Sequence, residues 1–296
     1  MHAQSLSRES ADVYLKLESE LPTGSFKPRG ALYALSATLG RRRLKEVVAS
    51  STGNHGAAVA FAAKLLGVPA TIFLPENPNP VKRRKIAELG ARIVEDGSPD
   101  LAQAFKKAQR YADADPGIFF LNDATDPDLP AGPATIGSEI LDQLPTVRAI
   151  YVPMGDTALI RGVAAAVKQR STTVRIIGVQ AENAPSYFLS WKKGEAVETP
   201  TCNTIADGLA TRTPDPANVV AIRELVDDVR LVSEEQMRQA IRHLLFEEHI
   251  VAEPAGAAAT AALLAETAGL GVKVVALVTG ANIDPELLKR SIEHPR

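Results

Sequence analysis

Pro22-Thr23-Gly24-Ser25-Phe26-Lys27-Pro28-Arg29-Gly30-Ala31 is the stretch from which the rest of the chain is read. A lysine stands between a Gly-Ser turn and a proline. A residue before proline is steered out of the helical region, so Lys27 is expected in an extended or turn conformation. Gly24 permits a bend just upstream. Residues 30–39, GALYALSATL, read as helix. Lys27 is therefore expected to project from a stiff loop at a helix start, with Phe26 beside it. A lysine so held suits a chemical task, such as an amine forming a Schiff base. Taken alone, the pattern also fits a solvated surface lysine.

The chain has 296 residues, a length that suggests about two domains. With 45% hydrophobic and 23% charged residues it can bury a sizeable core. A net charge of −2 advertises neither nucleic acid nor an acidic membrane surface as a partner. The basic runs Arg41-Arg42-Arg43 and Lys82-Arg83-Arg84-Lys85 read as solvated faces. Cys202 is the only cysteine, which excludes an intramolecular disulfide and a thiolate metal cluster. No basic-then-apolar signal segment opens the chain. The most apolar stretch, 57–74, is broken by Lys64, Gly67 and Pro69, so it is not read as a membrane span. A cytoplasmic protein is expected.

Apolar runs and helical patterns alternate along the chain. Strands are expected at 13–18, 46–50, 68–74, 91–94, 118–121, 149–153, 174–180 and 272–278. Helices are expected at 57–66, 80–89, 100–112, 134–144, 159–168, 233–246 and 255–267. Gly67 and Gly90 close two of them, and Ser233-Glu234-Glu235-Gln236 is a capping box. Alternation of this kind argues for α/β units with mainly parallel sheets. The continuous Val/Ile/Ala strands suit sheets covered on both faces. Residues 192–220, rich in Pro, Thr and Asp, read as irregular.

Three strand-to-loop junctions carry candidate chemistry, because ligands of parallel sheets collect at the carboxyl ends of the strands. The first is Ser51-Thr52-Gly53-Asn54-His55-Gly56. Backbone N–H groups at such a helix start favour an anion such as a carboxylate, although a plain capped helix fits as well. The second, Met154-Gly155-Asp156-Thr157-Ala158, has the outline of a phosphate loop without the glycine run. Asp156 would repel a phosphate unless its side chain turned away. The third is Thr279-Gly280-Ala281-Asn282, which in isolation is a C-terminal turn. His55 has no partner at metal-ligand spacing, so no metal site is expected. Cys202 has no activating histidine nearby in sequence and reads as a bland residue.

Together these segments resemble the fold-type II pyridoxal-phosphate enzymes, in particular the serine/threonine dehydratase and serine racemase group of the tryptophan synthase beta-like superfamily. GSFKPRGA is similar to the family's Schiff-base lysine segment, and SSTGNHG to its substrate-carboxylate loop. LPENPNPVKRRKIAELGARIV, IADGLA (205–210), EPAGAAATAALL (253–264) and VTGAN (278–282) resemble further family blocks, in the right order and over nearly the whole chain. The resemblance implies that Lys27 holds pyridoxal 5′-phosphate as an imine, with Phe26 against the ring region. It implies that Asn54 bonds the phenolic oxygen and that Ser51, Thr52, Gly53 and His55 line the carboxylate loop. Gly155, Asp156, Thr157 and Ala158 would carry the phosphate, mainly through N–H groups. Thr279 would bond the pyridine nitrogen, with Asn282 nearby. A hydroxyl there does not force protonation, so the ring is a moderate electron sink suited to elimination.

The same resemblance implies two three-layer α/β domains with the cofactor in the interdomain cleft. Residues 1–44 and 128–296 would form the large cofactor-binding domain, and 45–127 the small mobile substrate-loop domain. A homodimer is implied as well. Departures from the family are GDTA in place of the glycine run, Gly132-Pro133-Ala134-Thr135 in place of Gly-Gln-Gly-Thr, and Asn203 near an acidic metal ligand of some members. The chain starts later than is usual for the group, and no regulatory domain is expected after residue 296. Thr52 stands where racemases of the group place a serine that acts as the second base; a threonine there resembles threonine synthases instead. Three readings remain open at this point. The first is a serine/threonine ammonia-lyase. The second is threonine-synthase-like β-replacement or racemisation. The third is a catalytically weak cofactor-binding protein.

Overall fold

Short apolar runs followed by helical patterns leave each strand no partner but a parallel one reached by a crossover. That is the arrangement in the computed structural model of the protein. It describes residues 1–7, 11–51, 53–76, 78, 80–95, 97–98, 101–266 and 272–293. The chain divides into two compact units, one of residues 1–20 and 133–296, the other of 21–132.

The second unit is built on a four-stranded sheet. Its strands are β2 (Glu46–Ser50), β3 (Ala70–Phe73), β4 (Arg92–Val94) and β5 (Ile118–Phe120), in the order β4-β3-β2-β5. Every pairing among them is parallel. Helices α1 (Lys27–Arg41), α2 (Asn54–Leu66), α3 (Pro80–Glu88) and α4 (Leu101–Asp113) complete it. Helix α2 is Ala-rich and buries most of its surface, packing on α1, β2 and β3. It ends at Gly67, whose left-handed φ of 69° is the expected glycine stop.

The first unit holds a five-stranded sheet in the order β1-β9-β6-β7-β8, again all parallel. Its strands are β1 (Ala11–Leu17), β6 (Val147–Pro153), β7 (Arg175–Ala181), β8 (Asp228–Val232) and β9 (Val272–Val278). Helices α5 (Ala131–Gln143), α6 (Ala158–Arg170), α7 (Ser186–Lys193), α8 (Pro216–Leu225), α9 (Glu234–Phe246), α10 (Pro254–Ala265) and α11 (Pro285–Ile292) accompany them. Helix α10 is apolar almost all round and lies buried over the sheet, as such a helix must. No helix among the described residues is long and apolar enough to cross a membrane.

The expected capping box opens α9, with Ser233 and Gln236 bonding each other's backbone. Elements missing from the sequence reading are β8, α7, α8 and α11. Strand β8, DVRLV, alternates charge with apolar residues and so lacks the continuous run of its neighbours. Helices α8 and α11 begin at Asp-Pro pairs that look like turn formers. There the aspartates are N-caps: Asp215 accepts from the N–H groups of Ala217 and Asn218, and Asp284 from those of Glu286 and Leu287.

Helix α10 starts against the loop after β9, where the Glu253 N–H donates to the Gly280 carbonyl at 3.0 Å. A Cβ on Gly256 would lie 2.3 Å from that carbonyl oxygen. Gly256→Ala is therefore expected to destabilise the protein by about 1–3 kcal/mol through overpacking. Gly40→Ala, at an open helical position with nothing within 4 Å, should add about 0.5 kcal/mol. Urea midpoints of the two variants check both signs.

Candidate active site

In the second unit Lys27 is the first residue of α1, not an extended loop residue. Proline is tolerated in the first helical turn, because its missing N–H has no intrahelical acceptor there. That outweighs the bias Pro28 places on the residue before it. Phe26 is the N-cap, and the Lys27 ammonium lies 5.7 Å from its ring centroid. Lys27 Nζ donates to Asp123 Oδ2 at 2.9 Å. The Lys27 side chain is 21% exposed and that of Asp123 26%.

The Ser51 loop leaves β2 and runs into α2. The Gly53 N–H donates to Ser51 Oγ at 3.2 Å, and Gly53 caps α2 without any side-chain bond. Asn54 and His55 are thus the first two helical residues. No acidic side chain stands in that first turn, so its amide end faces an anion without competition from the chain. A Cβ on Gly56 would meet the Ser51 carbonyl oxygen at 2.6 Å, so only glycine lets the helix start this close to its loop. Thr52 lies outside the described residues.

His55 is buried and its Nε2–H donates to the Leu121 carbonyl at 2.9 Å. Burial pushes the imidazole below its usual range, and Asp123 pulls it only part of the way back. The ring is therefore neutral near pH 7. Burial alone would raise the Asp123 carboxyl, but the Lys27 ammonium bonded to it outweighs that and holds Asp123 well below the usual carboxylate range. A lysine, an aspartate and a histidine thus meet at the carboxyl ends of β2 and β5, which are parallel neighbours.

The first unit carries the other predicted residues. Gly155, Asp156 and Thr157 connect β6 to α6, whose first residue is Ala158. The Asp156 carboxylate accepts from the Thr211 hydroxyl at 2.9 Å. Thr157 is the N-cap, with no side-chain cap bond and a left-handed φ of 69°. A β-branched residue is strained there. Its hydroxyl is held by Arg161 Nε at 3.1 Å and by Tyr187. The Tyr187 hydroxyl also accepts from the Asp215 N–H at 3.1 Å and from Asn218 Nδ2 at 3.3 Å. A Cβ on Gly155 would come within 2.2 Å of the Gly208 carbonyl oxygen, so the IADGLA segment supports this loop backbone to backbone. The first turn of α6, too, contains no acidic residue. Thr279, buried, directly follows β9, and Asn282 lies in the loop before α11.

Lys27, Phe26, Ser51, Gly53, Asn54 and His55 are therefore assembled in one unit, and Gly155, Asp156, Thr157, Ala158, Thr279 and Asn282 in the other. Asp123, Thr211, Tyr187 and Arg161 escaped the sequence reading. The available signal for Asp123 was its place just after a parallel strand. No group of three or more His, Cys, Asp and Glu that could hold a metal ion occurs among the described residues.

An uncapped helix start whose neighbouring carboxylate is tied off suits a phosphate. A lysine at a helix start suits an aldehyde-bearing partner. The chain matches the family model described as "Pyridoxal-phosphate dependent enzyme" over residues 1–280. The chain belongs to that family. It is 38% identical over 281 residues to the L-threonine ammonia-lyase of Thermotoga maritima, covering 95% of this chain and 70% of the relative. Its fold matches the processed form of threonine deaminase isoform 2 from Solanum lycopersicum with a TM-score of 0.92 and 31% identity, over 99% of this chain and 86% of that one. It matches maize serine racemase with a TM-score of 0.89 and 30% identity, over 99% and 90% of the two chains. Within this pyridoxal-phosphate enzyme, the residues set out above fit the cofactor's charge and its aldehyde.

His55 sets a pH dependence. Its folded pKa lies below the unfolded value of 6.5, so the folded state binds its proton less readily than the unfolded state. Its contribution to stability is complete above about pH 6.5 and is lost as pH falls below that value. Thermal midpoints measured from pH 8 down to pH 5 should fall, and His55→Gln should flatten that slope.

Proposed function

We propose that the protein is an ammonia-lyase that removes the β-hydroxyl of L-threonine or L-serine, releasing a 2-oxo acid and ammonia. The observation that carries the reading is Lys27 at the first position of α1, with its amine partly exposed and bonded by a carboxylate. The similarity to relatives named for threonine deamination supports the choice of reaction.

Bound pyridoxal phosphate supplies an electron sink for the pair left when the substrate Cα–H bond breaks. Lys27 Nζ tethers the cofactor and, once released from it, accepts the α-proton. The amide end of α2, with Ser51, Thr52, Gly53 and His55, holds the substrate carboxylate. Asn54 would bond the cofactor's phenolic oxygen, and Phe26 would contribute to the ring region. The N–H groups of Gly155, Asp156, Thr157 and Ala158 hold the phosphate at the positive end of α6. Thr279 would bond the pyridine nitrogen, with Asn282 also assigned to cofactor binding. The segment 45–127 acts as the mobile substrate-loop domain, and 1–44 with 128–296 as the cofactor-binding domain, although 21–44 and 128–132 pack with 45–127 in one compact unit. The working form is a cytoplasmic homodimer, which sedimentation at two concentrations checks.

Similarity to maize serine racemase favours racemisation as the second reading. Racemisation needs a proton donor on the face opposite Lys27. The family resemblance assigns that role to the position of Thr52, a residue whose hydroxyl is weakly basic and whose side chain is stiff. L-serine is therefore expected to give pyruvate and ammonia with little D-serine. Oxo-acid and ammonia assays on a panel of hydroxy amino acids, with chiral chromatography of residual serine, test this. D-serine forming as fast as pyruvate overturns it. Lys27→Ala should lower elimination by at least about a hundredfold. Near-normal turnover in that variant would assign the proton to another residue.

A further inference from the structure

Asp123 has no part in the reading above, yet it contacts the residue that carries it. Lys27 stands at the N-terminal end of α1, where the helix dipole disfavours a cation. A free amine at that position would shed its proton readily. Asp123 Oδ2, 2.9 Å from Nζ, works in the opposite sense. Its loop is stiff. The Asn122 side chain accepts from the Ala124 N–H, and the Leu121 carbonyl holds His55. The titratable groups around the pair are His55 and Asp126. Burial keeps His55 neutral, while Asp126 is pushed upward by its own burial. Lys27 is therefore the cation Asp123 serves. Surface pairs such as Lys45–Asp115, whose lysine is 72% exposed, are worth little. The Lys27–Asp123 pair is better shielded and stands beside the Ser51 loop.

We propose that Asp123 is a positioning residue for Lys27, aiming the released amine and stabilising the ammonium formed when that amine gains a proton. The inference rests on the proposed role of Lys27. A proton taken from the substrate Cα goes to Lys27 Nζ and is shared with Asp123 Oδ2, which makes Lys27 the stronger base. The same bond slows cofactor capture, because only the neutral amine attacks an aldehyde. Removing the carboxylate should therefore change two rates in opposite directions. Capture quickens while turnover falls, a split that mere structural damage does not produce.

The test is competitive acetylation of the cofactor-free protein with acetic anhydride between pH 7 and 11. The Lys27 peptide is followed by mass spectrometry against an exposed lysine, Lys106. Asp123→Asn should move the Lys27 midpoint down by about one pH unit, since an opposite charge at this range shifts a group by about 1–3 units. Below the midpoint its reactivity should rise roughly tenfold. Asp123→Glu should recover part of the shift, and Asp123→Ser should repeat the loss, so the answer does not depend on one variant folding. Absorbance-monitored loading with pyridoxal phosphate should be faster in Asp123→Asn. A midpoint and loading rate unchanged in the folded variants overturn the inference. Labelling needs no turnover. A shifted midpoint without lyase activity would refute only the activity, and lyase activity with an unmoved midpoint would refute only Asp123.

Discussion

A lysine at the first position of a helix works against the helix dipole. It therefore needs either a partner or a use. Lys27 has a carboxylate partner at 2.9 Å, and that one bond draws together three separate segments. The α1 start brings the amine, the loop after β5 brings Asp123, and the α2 start brings His55 beside both. The influence of Lys27 is visible in the direction of the Asp123 titration. His55 is held neutral by burial and Asp123 is held ionised by Lys27. Such clusters of perturbed groups are characteristic of functional sites.

Parallel pairing fixes where these segments emerge. Every pairing between strands in both sheets is parallel, so the loops at 51–53, 121–123, 154–157 and 279–282 all leave the carboxyl ends of strands. Within each unit a glycine lets backbone meet backbone beneath a loop. Gly56 meets Ser51, Gly155 meets Gly208, and Gly256 meets Gly280. These approaches fix the uncapped amide ends of α2 and α6 without using any side chain. The side chains of Asp156 and Thr157 are drawn instead to Thr211, Arg161 and Tyr187. The first turn of α6 contains no acidic residue, which suits an anion there.

The parallel α/β class was legible because Val/Ile/Ala runs alternate with helical patterns, and β9 was placed to the residue. The family was legible from Lys27, the Ser51 loop and the C-terminal blocks taken together. Other features were not readable for definite reasons. Lys27 begins a helix because the first turn tolerates Pro28, a balance that a rule about residues before proline does not contain. Helix α8 was hidden by Asp215 and Pro216, which cap helices as readily as they make turns. Asp123 was invisible because its meaning comes from a partner 96 positions away. Thr157 took a backbone angle suited to glycine, held by side chains far along the chain.

The central claim is that Lys27 is the residue that takes up pyridoxal phosphate. Its most direct test is borohydride reduction of the protein after adding the cofactor, followed by mass mapping of the labelled peptide. A single phosphopyridoxyl group on Lys27, absent from Lys27→Ala, is the predicted result. A label distributed over exposed lysines with none on Lys27 would contradict it.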